Sequence, residues 1–225
     1  MRWIQKPPQE YSLLAIFRTE AASAPETFRY DNLREKQQLV RELIEEQRGL
    51  CAYSMRSLVD RQGSIRAHVE HIVPQSQDEG RALDYTNLVA CFPAPGQPCR
   101  YGAVRKADQN IELDKNFVSP LRQGCDQRFA YSFDGSVGES PGDDAAKDTI
   151  RILNLNEGEL TALRRAQIEG WGLSPLAEHP AGEEDLLDIQ ALIEEQAAEL
   201  PEYVVALRQC LRAYRGFLER PPRCC

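Results

Sequence analysis

His68-Val69-Glu70-His71-Ile72-Val73-Pro74-Gln75-Ser76, followed after a polar loop by Asp84-Tyr85-Thr86-Asn87-Leu88-Val89-Ala90-Cys91, is the stretch whose reading decides the fold. Residues 65–73 and 87–92 are β-prone runs, and the segment from Gln75 to Thr86 reads as the loop between them. Side chains alternate along an extended strand, so His68 and Glu70 share one face and His71 takes the other. Pro74 forces a turn nearby, which lets Glu70 and His71 converge at the strand end. The spacing is not the zinc-protease pattern, which needs two histidines four apart with glutamate directly after the first. It suits metal-assisted phosphodiester hydrolysis. A hard cation wants a carboxylate, and a near-neutral imidazole can take a proton from water. Asn87 enters the second run, where its amide can pin the intervening loop and so fix the histidine.

Working outward, residues 31–48 read as a helix: Asp31 caps it, Leu39, Val40, Leu43 and Ile44 form its apolar stripe, and Gly49 stops it. Leu50-Cys51-Ala52-Tyr53-Ser54 suits a short strand or knuckle. Residues 93–98 are loop, because they hold three prolines. Residues 100–110 predict a helix with a weak apolar face. Further on, Asn156 and Glu159 resemble a capping pair ahead of a stripe of Leu160, Leu163, Ile168 and Trp171. A Pro/Gly-containing linker is expected at 172–182. Two amphipathic segments, 184–199 and 201–218, then predict an antiparallel hairpin, with Pro201 in the opening turn of the second.

Of 225 residues, 42% are hydrophobic and 28% charged, which is globular composition, neither disordered nor membrane-like. No window approaches the roughly eighteen uninterrupted apolar residues of a membrane span. The first residues, Met1-Arg2-Trp3-Ile4-Gln5-Lys6-Pro7-Pro8, lack the apolar run of a secretory signal. Seven scattered cysteines do not make a disulfide framework, so the expected setting is cytoplasmic, with reduced thiols. Residues 1–135 carry 18 Lys+Arg and 18 Asp+Glu; residues 136–225 carry 9 and 17, which is the whole net charge of −8. The acidic part repels phosphate, so nucleic acid is expected on the N-terminal part and a protein partner on the C-terminal one.

Glu-His-Ile-Val-Pro-Gln-Ser followed by Asn-Leu resembles the HNH (ββα-metal) endonuclease motif, and this spacing is quite specific. Ile4-Gln5-Lys6-Pro7, Glu46-Gln47 leading to Leu50-Cys51-Ala52-Tyr53, Val118-Ser119-Pro120 through Cys125 and Phe129 to Gly135, and the run from Thr149 to Asn156 are similar to one subfamily. That subfamily is the HNH protein of Septu and retron anti-phage defence, PtuB-like, and the resemblance covers roughly residues 1–170. It implies an α+β fold: a small ββα-metal core at 51–135, an N-terminal arm and helix at 1–50, and an acidic helical region at 136–225 for partner docking. It implies that His71 is the general base, that Glu70 holds a divalent ion (Mg²⁺ or Mn²⁺), and that Asn87 orients the loop. The partners implied are a PtuA-like ABC/SMC-type ATPase and, in retron versions, a reverse transcriptase with its DNA–RNA product. The substrate is phage DNA or an RNA.

The chain departs from the family pattern twice. Aligning Lys106 with the family lysine puts Ala103 where the third ligand, a His or Asn, normally stands; Asp108 or Asn110 substitutes only in another helix register. The usual Cys-x-x-Cys is Cys51-Ala52-Tyr53-Ser54 here. Cys51, Cys91 and Cys99, with Cys125 as a distant fourth, either hold a structural zinc or are small buried residues. His68 is a spare ligand, a group that orients a ligand, or an exposed or packed strand residue, and His179 is a linker surface residue. Arg100, Arg105 and Lys106, with Tyr101 among them, are the expected phosphate contacts. Cys224 and Cys225 have no readable role. The stripe on the C-terminal hairpin exceeds what two helices bury between themselves, which predicts either a docking face for the ATPase or packing of the hairpin back onto the nuclease core.

Overall fold

His68–His71 (β1) pairs antiparallel with Leu88–Cys91 (β2), with His68 opposite Cys91 and His71 opposite Leu88. The computed structural model in which this pairing is seen describes residues 1–8, 12–23, 30–194 and 200–219. Among them the chain is mixed α+β, with seven α-helices and two small antiparallel sheets. β2 is buried along its whole length, as a run of Leu-Val-Ala-Cys requires. The ladder runs on through Ile72, whose N–H donates to the Asn87 carbonyl at 2.8 Å. The chain bends at Ile72 and Val73, directly after His71 and ahead of Pro74, which is the turn expected at the strand end.

The helix expected over 31–48 is shorter. Tyr30–Asn32 forms a separate 3-10 turn, and the helix proper, Lys36–Glu46 (α2, the second after Ser12–Ser23, α1), begins after Glu35 with no side-chain cap. Asp31 therefore does not cap it. The stripe of Leu39, Val40, Leu43 and Ile44 is buried as expected. Arg48 and Gly49 take positive φ, and the Gly49 N–H closes back on the Ile44 carbonyl, which ends the helix. Leu50 to Ser57 is a knuckle, with the Cys51 N–H on the Arg56 carbonyl and the Met55 N–H on the Cys51 carbonyl. The 100–110 helix reduces to one turn, Ala103–Lys106 (α3), which ends where Ala107 takes φ 42°.

A second hairpin, Phe129–Tyr131 (β3) with Val137–Glu139 (β4), has no counterpart in the sequence reading. The Asp134-Gly135 pair in its turn is the hairpin signal that the sequence carries here. Gly135 sits at φ 83°, and a Cβ there would lie 2.2 Å from the Thr161 carbonyl oxygen, so only glycine fits beneath the neighbouring helix. Asp143 caps Asp144–Leu153 (α4), accepting from the Ala146 N–H. Gly158–Gly170 (α5) is capped by Glu157, and not by Asn156, whose amide instead bonds both backbone groups of Val137.

Asp185–Glu194 (α6) and Val204–Leu218 (α7) run antiparallel, tied by Arg208 to the Ile193 carbonyl and by Arg215 to Gln190. Residues 195–199 of the expected first segment, and Cys224 and Cys225, lie outside the described residues. The hairpin does not stand free. Val204, Val205, Leu207, Leu211 and Tyr214 are buried, the Gln209 side chain bonds both backbone groups offered by Phe129 and Tyr131, and the Tyr203 N–H reaches the Met55 carbonyl. The surplus stripe on α7 is thus absorbed by the chain itself; what stays exposed on α6 is Leu187 and Leu192. Side chains from all three expected segments, from Ile4 and Leu43 through Leu88 and Phe117 to Leu160 and Leu207, belong to one core. No helix among the described residues is long and apolar enough to cross a membrane.

Candidate functional site

The loop between the two strands is built by hydrogen bonds that its own sequence supplies. Asp84 accepts from the N–H and hydroxyl of Thr86, and this turn launches Asn87 into β2. Asn87 is 0% exposed. Its Oδ1 accepts from the Val73 N–H at 2.8 Å, and its Nδ2 donates to the carbonyls of Val73 at 3.0 Å and Arg81 at 3.3 Å. Both ends of the loop are therefore clamped by one amide. Gln77 adds a second clamp, bonding the N–H and carbonyl of Ile111 at 2.8 Å each.

His71 is set by that loop. Nε2 lies 3.0 Å from the Ala82 carbonyl, which can only accept, so the proton sits on Nε2 and Nδ1 keeps its lone pair. The Gln75 amide approaches Nδ1 at 3.3 Å, and the Tyr30 ring meets the imidazole edge-on, with centroids 4.5 Å apart. His71 is 8% exposed, and this burial holds its pKa below the ordinary histidine value against the pull of the Ala82 carbonyl and the Glu70 charge.

On the other face of β1, Glu70 Oε1 pairs with the Lys106 ammonium at 2.9 Å. Lys106 is 1% exposed and also donates to the His71 carbonyl at 3.0 Å, so it staples α3 to both site residues through one cation. His68 Nε2 lies 3.9 Å from Glu70 Oε2. His68 Nδ1 lies 2.6 Å from the Pro93 carbonyl, and so carries the proton. Burial opposes charge on His68, yet the Glu70 carboxylate and the Pro93 carbonyl outweigh it and raise its pKa. Burial and the same carboxylate hold the Tyr53 phenol well above its usual value.

Glu70 is the carboxylate here that could hold a divalent cation, with few other protein ligands beside it. Glu70 offers Oε2 while Lys106 holds Oε1, and the Tyr53 hydroxyl lies beside that carboxylate. Among the described residues no three His, Cys, Asp or Glu side chains group to hold an ion, so water would complete the shell. Asp108 is exposed and accepts from Ser76 at 3.3 Å, and Asn110 is exposed as well. Ala103, at the third-ligand position, is a buried methyl group on α3.

Lys106 is not a phosphate contact in this arrangement, because its donors are spent inside the fold. Tyr101 is buried too, hydrogen-bonded to Arg56 and stacked on Phe92. Arg100 and Arg105 are on the surface. The free thiols of Cys51 and Cys91 hydrogen-bond to each other, Cys99 turns its thiol to the Tyr101 carbonyl, and Cys125 lies against the Pro120 carbonyl. Burial alone would push the Cys51 thiol up; donation to its sulfur from Cys91, Ser54 and the Phe92 N–H brings it down to about 5, and Cys91 is pushed well up. His179 is exposed.

Gln47, Glu46 and Lys6 also hold the site, through partners far away in the sequence. Gln47, fully buried, bonds the Ala90 N–H and carbonyl and the Leu50 carbonyl. Glu46 takes the Lys6 ammonium at 2.8 Å and the Tyr85 hydroxyl at 2.6 Å, and Lys6 reaches the Leu88 carbonyl, so the N-terminal arm braces β2. An open groove of about 810 Å³ lies between α2 and the 59–65 segment, with Val40, Ile44 and Ile65 in its wall; His68, Glu70 and His71 are not among its lining residues. Compared with models of known protein families and with curated proteins, the chain finds no match.

Proposed function

We propose that this chain is an HNH (ββα-metal) endonuclease, hydrolysing phosphodiester bonds of nucleic acid with a divalent cation such as Mg²⁺ or Mn²⁺. We take it to be the effector subunit of a Septu- or retron-type anti-phage assembly, working with an ABC/SMC-like ATPase. The observation that carries the reading is the Asn87 clamp: a buried amide at the middle motif position holds the loop whose Ala82 carbonyl orients His71. The β1–β2 pair with α3 returning onto it through Lys106 supports the same reading.

In this mechanism His71 takes a proton from the attacking water at Nδ1, with Nε2–H held by Ala82; the Gln75 amide must yield that position to the water. Glu70 would hold the cation, with its carboxylate fixed by Lys106. The cation, when bound, stabilises charge on the scissile phosphate and the leaving oxygen. Arg100 and Arg105 contact substrate phosphates.

A second reading is a non-catalytic module derived from such a nuclease and kept for assembly with the ATPase. The buried alanine at position 103 and the commitment of Glu70 to Lys106 favour it. The deciding experiment is cleavage of DNA and RNA in Mg²⁺ or Mn²⁺, with and without the ATPase, by wild type and His71→Ala. Cleavage by the wild type that is lost in the folded variant is expected. A wild type inert under all conditions, or a variant that cleaves as well, overturns the enzyme reading.

A further inference from the structure

Resting on the reading of Glu70 as the cation's carboxylate, we propose that His68 is a second protein ligand of that ion, supplied by β1 in place of the ligand that Ala103 cannot provide on α3.

His68 and Glu70 are two residues apart on one strand, so their side chains share a face. Their nearest atoms, Nε2 and Oε2, are 3.9 Å apart. Two ligands at right angles on an ion bound at about 2.1 Å are separated by about 3 Å, so small rotamer shifts bring both into one shell. The other atom of each group is already tethered. Nδ1–H of His68 donates to the Pro93 carbonyl, which leaves the Nε2 lone pair aimed at Glu70. Metal-binding imidazoles are oriented through the far nitrogen in this way. Oε1 of Glu70 is held by Lys106, so Oε2 is the oxygen presented.

Access and surroundings agree. The side chains of His68 and Glu70 are 23% and 14% exposed, enough for the ion and its waters to enter. The fully buried Tyr53 hydroxyl lies against the same carboxylate, so the polar surroundings of the pair continue inward from the surface. An imidazole next to a carboxylate shifts the preference from Mg²⁺ toward Mn²⁺ and softer divalent ions.

The test is Mn²⁺ binding by the full chain, read by titration and by the electron spin-echo envelope modulation of the bound ion. The wild type is expected to bind Mn²⁺ with nitrogen modulation from one imidazole. The modulation should vanish in His68→Ala and persist in His71→Ala. The Kd of His68→Ala should rise tenfold or more, and that of His179→Ala should stay unchanged. Bound Mn²⁺ without nitrogen modulation, or modulation that survives in His68→Ala, overturns the proposal. If His68→Ala does not fold, the wild-type and His71→Ala spectra still decide. Cleavage that needs Mn²⁺ bound through oxygen alone sinks the His68 ligand and spares the nuclease. Nitrogen-ligated Mn²⁺ without cleavage of any nucleic acid does the reverse.

Discussion

Replacing Asn87 by alanine tests whether one amide holds the site together. The side chain is wholly buried and satisfies the Val73 N–H, the Val73 carbonyl and the Arg81 carbonyl at 2.8, 3.0 and 3.3 Å. Alanine leaves these groups facing a small gap. An orphaned buried polar group costs about 1–3 kcal/mol, and the longest of the three bonds contributes least. The expected loss is about 2–5 kcal/mol, or about 5–15 °C in Tm for a chain of this size. Asn87→Asp keeps the acceptor for Val73 but points a carboxylate at two carbonyls, so it should be no more stable than the alanine variant. Urea unfolding gives the magnitude, and hydrogen exchange at the Val73 amide gives the location. Cleavage should fall even where Asn87→Ala is folded, because the Ala82 carbonyl that orients His71 belongs to the released loop. A stability within about 1 kcal/mol of wild type, with the Val73 amide still protected, would refute the clamp.

The Glu70–Lys106 pair should behave as a buried ion pair: Lys106→Met or Glu70→Gln alone destabilises by about 3–5 kcal/mol, and the double variant by less than their sum. Additive losses in urea midpoints would show that the two charges do not depend on each other. Arg128 beside Asp143 holds that carboxyl below the usual range, and Asp143 also caps α4. Its contribution, about 1–2 kcal/mol, is present above the unfolded carboxylate value near 4 and is lost as pH falls through the lower folded value. The gap between wild type and Asp143→Ala should therefore shrink on acidification; an equal gap at pH 7 and pH 2 would contradict this. Deleting residues 183–225 removes the buried face of α7 and should abolish cooperative unfolding, whereas a truncated chain with a native near-UV signal would show that α7 is dispensable.

Local chemistry was legible in the sequence wherever neighbours in the chain act on each other. Asp84 to Asn87 folds back on itself, the α2 stripe follows the helical period, and the alternation of β1 sets His68 and Glu70 against His71. The amide of Asn87 was readable because a buried asparagine at a strand entry has few uses besides closing the loop before it. Tertiary structure decided what depends on residues far apart in sequence. Lys106 reads as a solvated cation in a basic run, yet it is buried because the Glu70 carboxylate, 36 positions earlier, and the His71 carbonyl compensate its ammonium. Gln47 and Glu46 look like an ordinary helix end, until Ala90 and Lys6 arrive beside them. The α7 stripe is amphipathic whether it meets a partner protein or its own core. Periodicity fixes which face of a helix is apolar, and only packing fixes what that face touches.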